Sequence, residues 1–203
     1  MKTLKTTHIP AQARTLEKRE SMTMVTFLKK GWKGKKVFTM NLDKEGSSFE
    51  WFIFVFGYHK EKFHLDLEIN HCAPRTKSRV YTRCVLTDQS EVRFTGVGSV
   101  SPQAQKSDTY LSFHALLLSK EAHAHVVPSL EIRAQDISAG HAASVDRFLP
   151  NDLFYLETRG LAERDAQAFL TQGFLSADAK HLLGQTDRAS VLKNIETRIS
   201  TFL

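Results

Sequence analysis

The segment EVRFTGVGSVSPQAQKSDTYLSFHALLLSKEAHAHVVPSLEIRA, residues 91 to 134, decides the fold. It holds three runs, EVRFTGVGSV, YLSFHALLL and PSLEIRA, in which side-chain character alternates with a period of two. Successive residues on a strand point to opposite faces, so this alternation, with its Val, Phe, Thr and Ile, is the mark of a half-buried strand. Working outward, KVFTMNL, FEWFIFVF, FHLDLEIN and SRVYTRCVLT continue the pattern, and strands spaced by about 12 to 15 residues run from Val37 to about Val145. Such spacing suits a sandwich, a barrel or a solenoid and does not choose among them. A conventional parallel sheet needs helical crossovers, and no segment of 3.6-residue period interrupts this region. Antiparallel architectures and a β-helix, in which short turns carry the chain around stacked coils, remain.

After Asp146 the period becomes helical. Asn151 and Asp152 start one helix and Gly160 stops it, while Ala162 to Thr171 forms a second, closed by Gly173. From about Asp187 to Leu203, a stripe of Val191, Leu192, Ile195, Ile199 and Leu203 marks one face of a third helix. That stripe must be buried, either on the end of the β region, capping an open edge, or against a partner chain. The organisation expected is a basic segment over 1–36, a β core over 37–146 and a helical region over 147–203.

Composition excludes several classes. With 203 residues, 41% of them hydrophobic, the chain is long enough for one main domain with a sizeable core. No apolar run approaches the roughly 20 residues that cross a bilayer; the longest, Trp51 to Phe56, reads as a buried strand, and the location expected is cytoplasmic. Cys72 and Cys84 lack the C-x-x-C spacing of a zinc or redox site and read as small apolar fillers. The net charge of +6 is uneven: residues 1 to 36 carry ten Lys/Arg against two acids. A solvated tail accounts for that balance, and the Lys29 to Lys36 cluster reads as a solvated face, so no nucleic-acid partner is expected. GWKGKK lacks the phosphate-cradling arrangement of a P-loop, and no G-x-S-x-G elbow is present.

LEIRAQDISAGHAASVDRF (residues 130 to 148) runs into LFYLETRGLAERDAQAFLTQGF (residues 153 to 174), and HCAPRTKSRVYTRCVLTDQSEVRFTGVGSV with the later LLLS and P-x-LEI precedes them. In the order of these parts, residues 65 to 175 resemble the SufB/SufD family, the scaffold of SUF iron–sulfur cluster assembly. The resemblance implies a right-handed parallel β-helix core with a small C-terminal helical region. It implies a non-enzymatic, cytoplasmic scaffold component, a short SufD-like form, that dimerises through the β-helix with itself or with a SufB-like subunit. It also implies docking of a SufC-like ABC ATPase through the helical region, with Leu153, Phe154, Tyr155, Leu156, Arg159, Gly160, Phe169 and Phe174 as candidate contacts. The cargo implied is an iron–sulfur cluster held transiently at an interface.

His141, in AGHAASV, matches the family's interface histidine, and imidazole suits iron. Clusters usually rely on thiolates. Here Ala142 replaces the glutamate of SufB-like members, Ala139 the cysteine of SufD-like ones, and Phe113 the SufB-like acceptor cysteine. His123 and His125 form an H-x-H pair that a strand would put on one face, with His114 as a neighbour; exposed histidines above core-facing Ala122, Ala124 and Val126 are the plain alternative. Two rivals follow: a metal-binding β-helix enzyme using His114, His123, His125 and His141, for which β-helix acyltransferases are one pattern although their hexapeptide repeats are missing, and a regulatory module that binds the ATPase without building clusters.

Overall fold

The alternating runs are strands of two parallel sheets. The computed structural model describes residues 2–6, 14–28, 31, 34–178 and 185–203. In the first sheet β1 (Lys2–Thr6), β3 (Ser21–Leu28), β5 (Ser48–Gly57), β7 (Lys77–Leu86), β9 (Asp108–Leu117) and β11 (Ser138–Asp146) lie side by side in that order. The second holds β2 (Arg14–Thr15), β4 (Lys35–Leu42), β6 (Lys62–His71), β8 (Glu91–Val100) and β10 (His123–Ile132). All the pairings among the described residues are parallel. Odd strands occupy one sheet and even strands the other, so the chain crosses between sheets at every turn and winds as a β-solenoid. Ser21, Ser48, Lys77, Asp108 and Ser138 stack in one column, 27, 29, 31 and 30 residues apart.

The corners are tight because several non-glycine residues take left-handed backbone angles: Arg19, Arg75 and Lys106 on one side of the coil, His59 and Asp88 on the other. Each such residue costs roughly 1 kcal/mol or more. The corner ladder offsets this, with Arg19 N–H donating to Glu45 O at 3.0 Å and Arg75 N–H to Gln105 O at 2.9 Å.

Between the sheets lies a dry core built from the inward half of each strand, including Phe38, Phe49, Trp51, Ile53, Leu67, Phe94, Leu111 and Phe113. Trp51 keeps its indole N–H satisfied by donating to Thr26 Oγ1 at 2.9 Å, as a buried polar handle requires. β5 is apolar on both faces: Phe52, Phe54 and Phe56 belong to a second cluster on the outer wall, with Phe27 and Phe54 stacked at 5.0 Å.

That outer wall is what the helices cover. α1 (Pro150–Thr158), α2 (Glu163–Ser176) and α3 (Gln185–Phe202) follow the last strand. Val191, Ile195 and Ile199 of α3 and Leu175 of α2 are buried in the same cluster as Phe27, Phe52, Phe54 and Phe56. The apolar stripe of α3 therefore lies along the wall of the first sheet, and neither on the solenoid's end nor reserved for a partner. Its aromatic partners explain the choice, since a fully buried Phe or Ile is worth about 1.5–3 kcal/mol and the end offers smaller side chains such as Ala124, Ala139 and Ala143.

Two boundaries also differ from the expectation. The basic segment 1–36 contains β1, β2 and β3, and SMTMVTFL (β3) is buried at every position after Ser21; averaging charge over 36 residues hides this neutral run. Residues 1, 7–13, 29–30 and 32–33 of that segment lie outside the described residues, while Lys35 pairs with Asp66. Gly173 does not close α2, which continues to Ser176; burial of Leu175 outweighs the ~1 kcal/mol cost of a helical glycine. Gly160 does end α1: at φ +92° its N–H donates to Glu157 O while Leu161 N–H donates to Leu156 O, the paired bonds of a Schellman cap.

Candidate functional site

Two regions carry the candidate residues, the last coil of the solenoid and the α1–α2 face. In the last coil, among the described residues, β10 pairs only with β8 and β11 only with β9, so each strand presents an open edge. His141 is in register with Leu111, a core residue, and therefore sits on the inward-facing row at the uncovered end of the coil, where it is exposed. Ala139 lies beside Thr109 and Ala142 beside Ser112. Phe113 is fully buried, and a Cβ at Gly96 would come within 2.5 Å of its ring, so this residue fills the solenoid's interior.

The four candidate histidines are not brought together. His123 and His125 are exposed and in register with Glu91 and Arg93, on the outer wall of the second sheet, while Ala124 and Val126 pack inward. His114 lies on the outer wall of the first sheet, its Nδ1 2.7 Å from Ser144 Oγ, which donates in turn to Asp146 at 2.7 Å. Burial lowers the pKa of His114, and the nearby Arg83 guanidinium pushes the same way. Three different faces thus hold the four rings, and no group of three or more His, Cys, Asp or Glu among the described residues is placed to hold a metal ion. Neither cysteine offers a ready thiolate: Cys84 is buried and desolvation raises its pKa, as it does for half-buried Cys72.

His71 has a different fate. It is wholly buried, with Nδ1 2.7 Å from Thr76 Oγ1 and Nε2 2.8 Å from Ser78 Oγ, and those hydroxyls continue to Ser107 and Thr109 at 2.8 Å each. Desolvation lowers its pKa to about 4, so at neutral pH the ring is an uncharged link in a hydroxyl ladder that joins successive coils.

On the helical side, Phe154, Tyr155 and Phe169 are exposed by 66%, 57% and 61%, beside exposed Leu149. Leu153 and Leu156 are half-buried, the Arg159 guanidinium lies 5.2 Å from the Tyr155 ring centre, and Gly160 forms the cap. Phe174 turns the other way, against the outer-wall cluster and beneath Arg83 at 4.9 Å. Sequence reasoning passed over Arg83 and Asp178, an ion pair at 2.7 Å that ties β7 to the end of α2. Only the register, which puts Arg83 beside Phe54 on the helix-covered wall, distinguishes it from a solvated strand arginine.

Residues 2–174 match the model of the SUF system FeS cluster assembly SufBD core domain. The chain belongs to the SufBD family. The iron–sulfur cluster assembly protein SufD of Bacillus subtilis is 27% identical over 161 residues, 79% of this chain and 37% of that protein. SufD of Escherichia coli is 30% identical over 122 residues, 60% of this chain and 29% of its own length. A SufBD family protein of Mycobacterium tuberculosis is 33% identical over 112 residues, 55% of this chain and 13% of that protein. The chain spans well under half the length of these curated relatives. The SufBD match ends at residue 174, before α3. Among the described residues no helix is long and apolar enough to cross a membrane.

Proposed function

We propose that this chain is a SufD-like scaffold component of SUF iron–sulfur cluster assembly, pairing through the last coil of its solenoid and docking an ABC-type ATPase through α1 and α2. The observation that carries the reading is the exposed aromatic face of Phe154, Tyr155 and Phe169 within the SufBD-matched region. Large apolar side chains left in water, Phe154 and Tyr155 on a helix with no buried residue and Phe169 on α2, favour a protein partner. The open edges of β10 and β11 supply unpaired backbone donors and acceptors for a second strand, from a SufB-like subunit or a second copy. An iron–sulfur cluster is cargo in this scheme, met at the pairing interface near His141, and the chain catalyses no reaction itself.

A second reading, a module that binds the ATPase without building clusters, is favoured by Phe113 filling the interior and by the alanines at 139 and 142. A histidine-cluster enzyme loses its ground because His114, His123, His125 and His141 face three ways. Anaerobic co-expression with a SUF-type ABC ATPase tests the proposal by light-scattering mass, with iron and sulfide assayed on the same peak. A complex carrying iron and sulfide supports the scaffold. A metal-free complex, with cluster assembly unchanged by His141→Ala, moves the chain to the regulator, and a protein that ignores the ATPase overturns both.

A further inference from the structure

The last turns of α3 stand over two solenoid corners, β5–β6 and β7–β8, and enclose a cleft of about 880 Å³. One wall is aromatic: Phe202 meets Phe56 edge-on at 5.8 Å and Tyr58 at 6.2 Å. Arg198 of α3 lines this cleft with its guanidinium carbon 5.0 Å from the Phe27 ring centre and 5.9 Å from that of Phe56. Its Nε is buried without a hydrogen-bond partner, and no carboxylate among the described residues pairs with it. Ring faces stabilise a guanidinium only in part, and a buried donor left unmet is costly. Burial accordingly holds the Arg198 pKa below the ordinary guanidinium range. The neighbouring helix groups do not relieve it: Asn194 Nδ2, Thr197 Oγ1 and Thr201 Oγ1 donate to carbonyls of their own helix at 2.8, 2.9 and 3.1 Å.

We propose that this cleft binds a small organic carboxylate, its anionic end paired with Arg198 and its apolar body against Phe56, Tyr58 and Phe202. The volume lies in the range of small-molecule sites, and a few polar and charged groups set among aromatic walls are their usual composition. Charge selects a carboxylate over a phosphate monoester. Asp88 lines the opposite rim, accepting the His59 backbone N–H at 2.7 Å and lying 3.3 Å from its Nδ1, so a dianion meets a fixed negative charge there. Arg198 and Phe202 of α3 lie beyond the SufBD match while Phe56, Tyr58 and Asp88 lie within it, so the cleft forms where this C-terminal helix meets the solenoid.

Benzoate and phenyl phosphate are the probes, titrated into the full chain by calorimetry and followed at Tyr58 and Phe202 by NMR. Saturable benzoate binding that shifts both residues, is weakened at least tenfold by Arg198→Met, and exceeds phenyl phosphate binding is the expected result. Asp88→Asn is expected to tighten benzoate several-fold and phenyl phosphate more, an arm that holds even where Arg198→Met fails to fold. No saturable benzoate binding, equal affinity in a folded Arg198→Met protein, tighter phenyl phosphate than benzoate, or no response to Asp88→Asn overturns the proposal.

Discussion

Arg83 on β7 donates from Nε to Oδ2 of Asp178, two residues past the end of α2, at 2.7 Å, with side-chain exposures of only 14% and 11%. The pair clamps the helical region to the solenoid wall, and the Phe174 ring shields the guanidinium.

Arg83→Met strands the Asp178 carboxylate in a mostly shielded site, which costs on the order of 3 kcal/mol. The double variant Arg83→Met/Asp178→Leu recovers part of that loss, because neither charge is then left alone. Urea unfolding of the four proteins checks it; strictly additive effects would mean that the pair carries no coupling.

Stability depends on pH through His71. Its folded pKa is depressed to about 4 from 6.5, so below pH ~6.5 the unfolded chain takes up a proton that the native ring refuses. Stability therefore falls as pH drops from about 6.5 to about 4, by roughly 3 kcal/mol at 1.36 kcal/mol per pKa unit, and this contribution is constant below that window. His71→Leu flattens the dependence; denaturation midpoints at pH 7, 5.5 and 4.5 make the comparison, and parallel slopes in the two proteins would refute the assignment.

Gly96 and Phe113 are matched across the interior. Gly96→Ala puts a methyl 2.5 Å from the Phe113 ring, an overpacking that costs about 1–3 kcal/mol. In a Phe113→Leu background the same alanine is tolerated better, and thermal melts of the pair read this directly. An equal penalty in both backgrounds would place the cause elsewhere than in the ring.

Phe154→Ala and Phe169→Ala remove exposed rings, so each changes folding stability by no more than about 0.5 kcal/mol. Docked through these rings, the ATPase loses affinity by tenfold or more, since exposed aromatics that become buried anchor interfaces. Calorimetric titration of the ATPase measures the affinity beside a melt of each variant; unchanged binding would remove α1 and α2 from the docking surface.

Alternation made β4, β6 and β8 legible, because each has one face in the core and a more exposed one opposite, while β5 was legible as a continuous apolar run. β3 escaped because its alternation stops after Met24: with Met24 inside the solenoid and Val25 and Phe27 under the helices, both faces of SMTMVTFL are buried. The coil repeat also left no trace as self-similarity, since a single column holds Ser21, Ser48, Lys77, Asp108 and Ser138, chosen coil by coil for local pairing. Parallel winding came from the family resemblance, as spacing alone does not separate it from antiparallel folds. At the candidate site, the outward placement of His123 and His125 followed from the H-x-H period. The divergence of His114 and His141 did not, because that needs the register between β9 and β11, and Arg198 became informative only once α3 was seen over the corner turns.

Because each coil bonds only to the coil before it and the coil after it, the rod has no central keystone. Amide protons along such a chain of nearest neighbours exchange in a graded series, slowest where α2 and α3 brace the aromatic wall and fastest in the end strands, β1 and β2 at one end and β10 and β11 at the other, which among the described residues have a neighbour on one side alone. The strands most open to a partner are also those that loosen first, so a partner strand laid along them slows exchange at the free tip, where the isolated chain is softest.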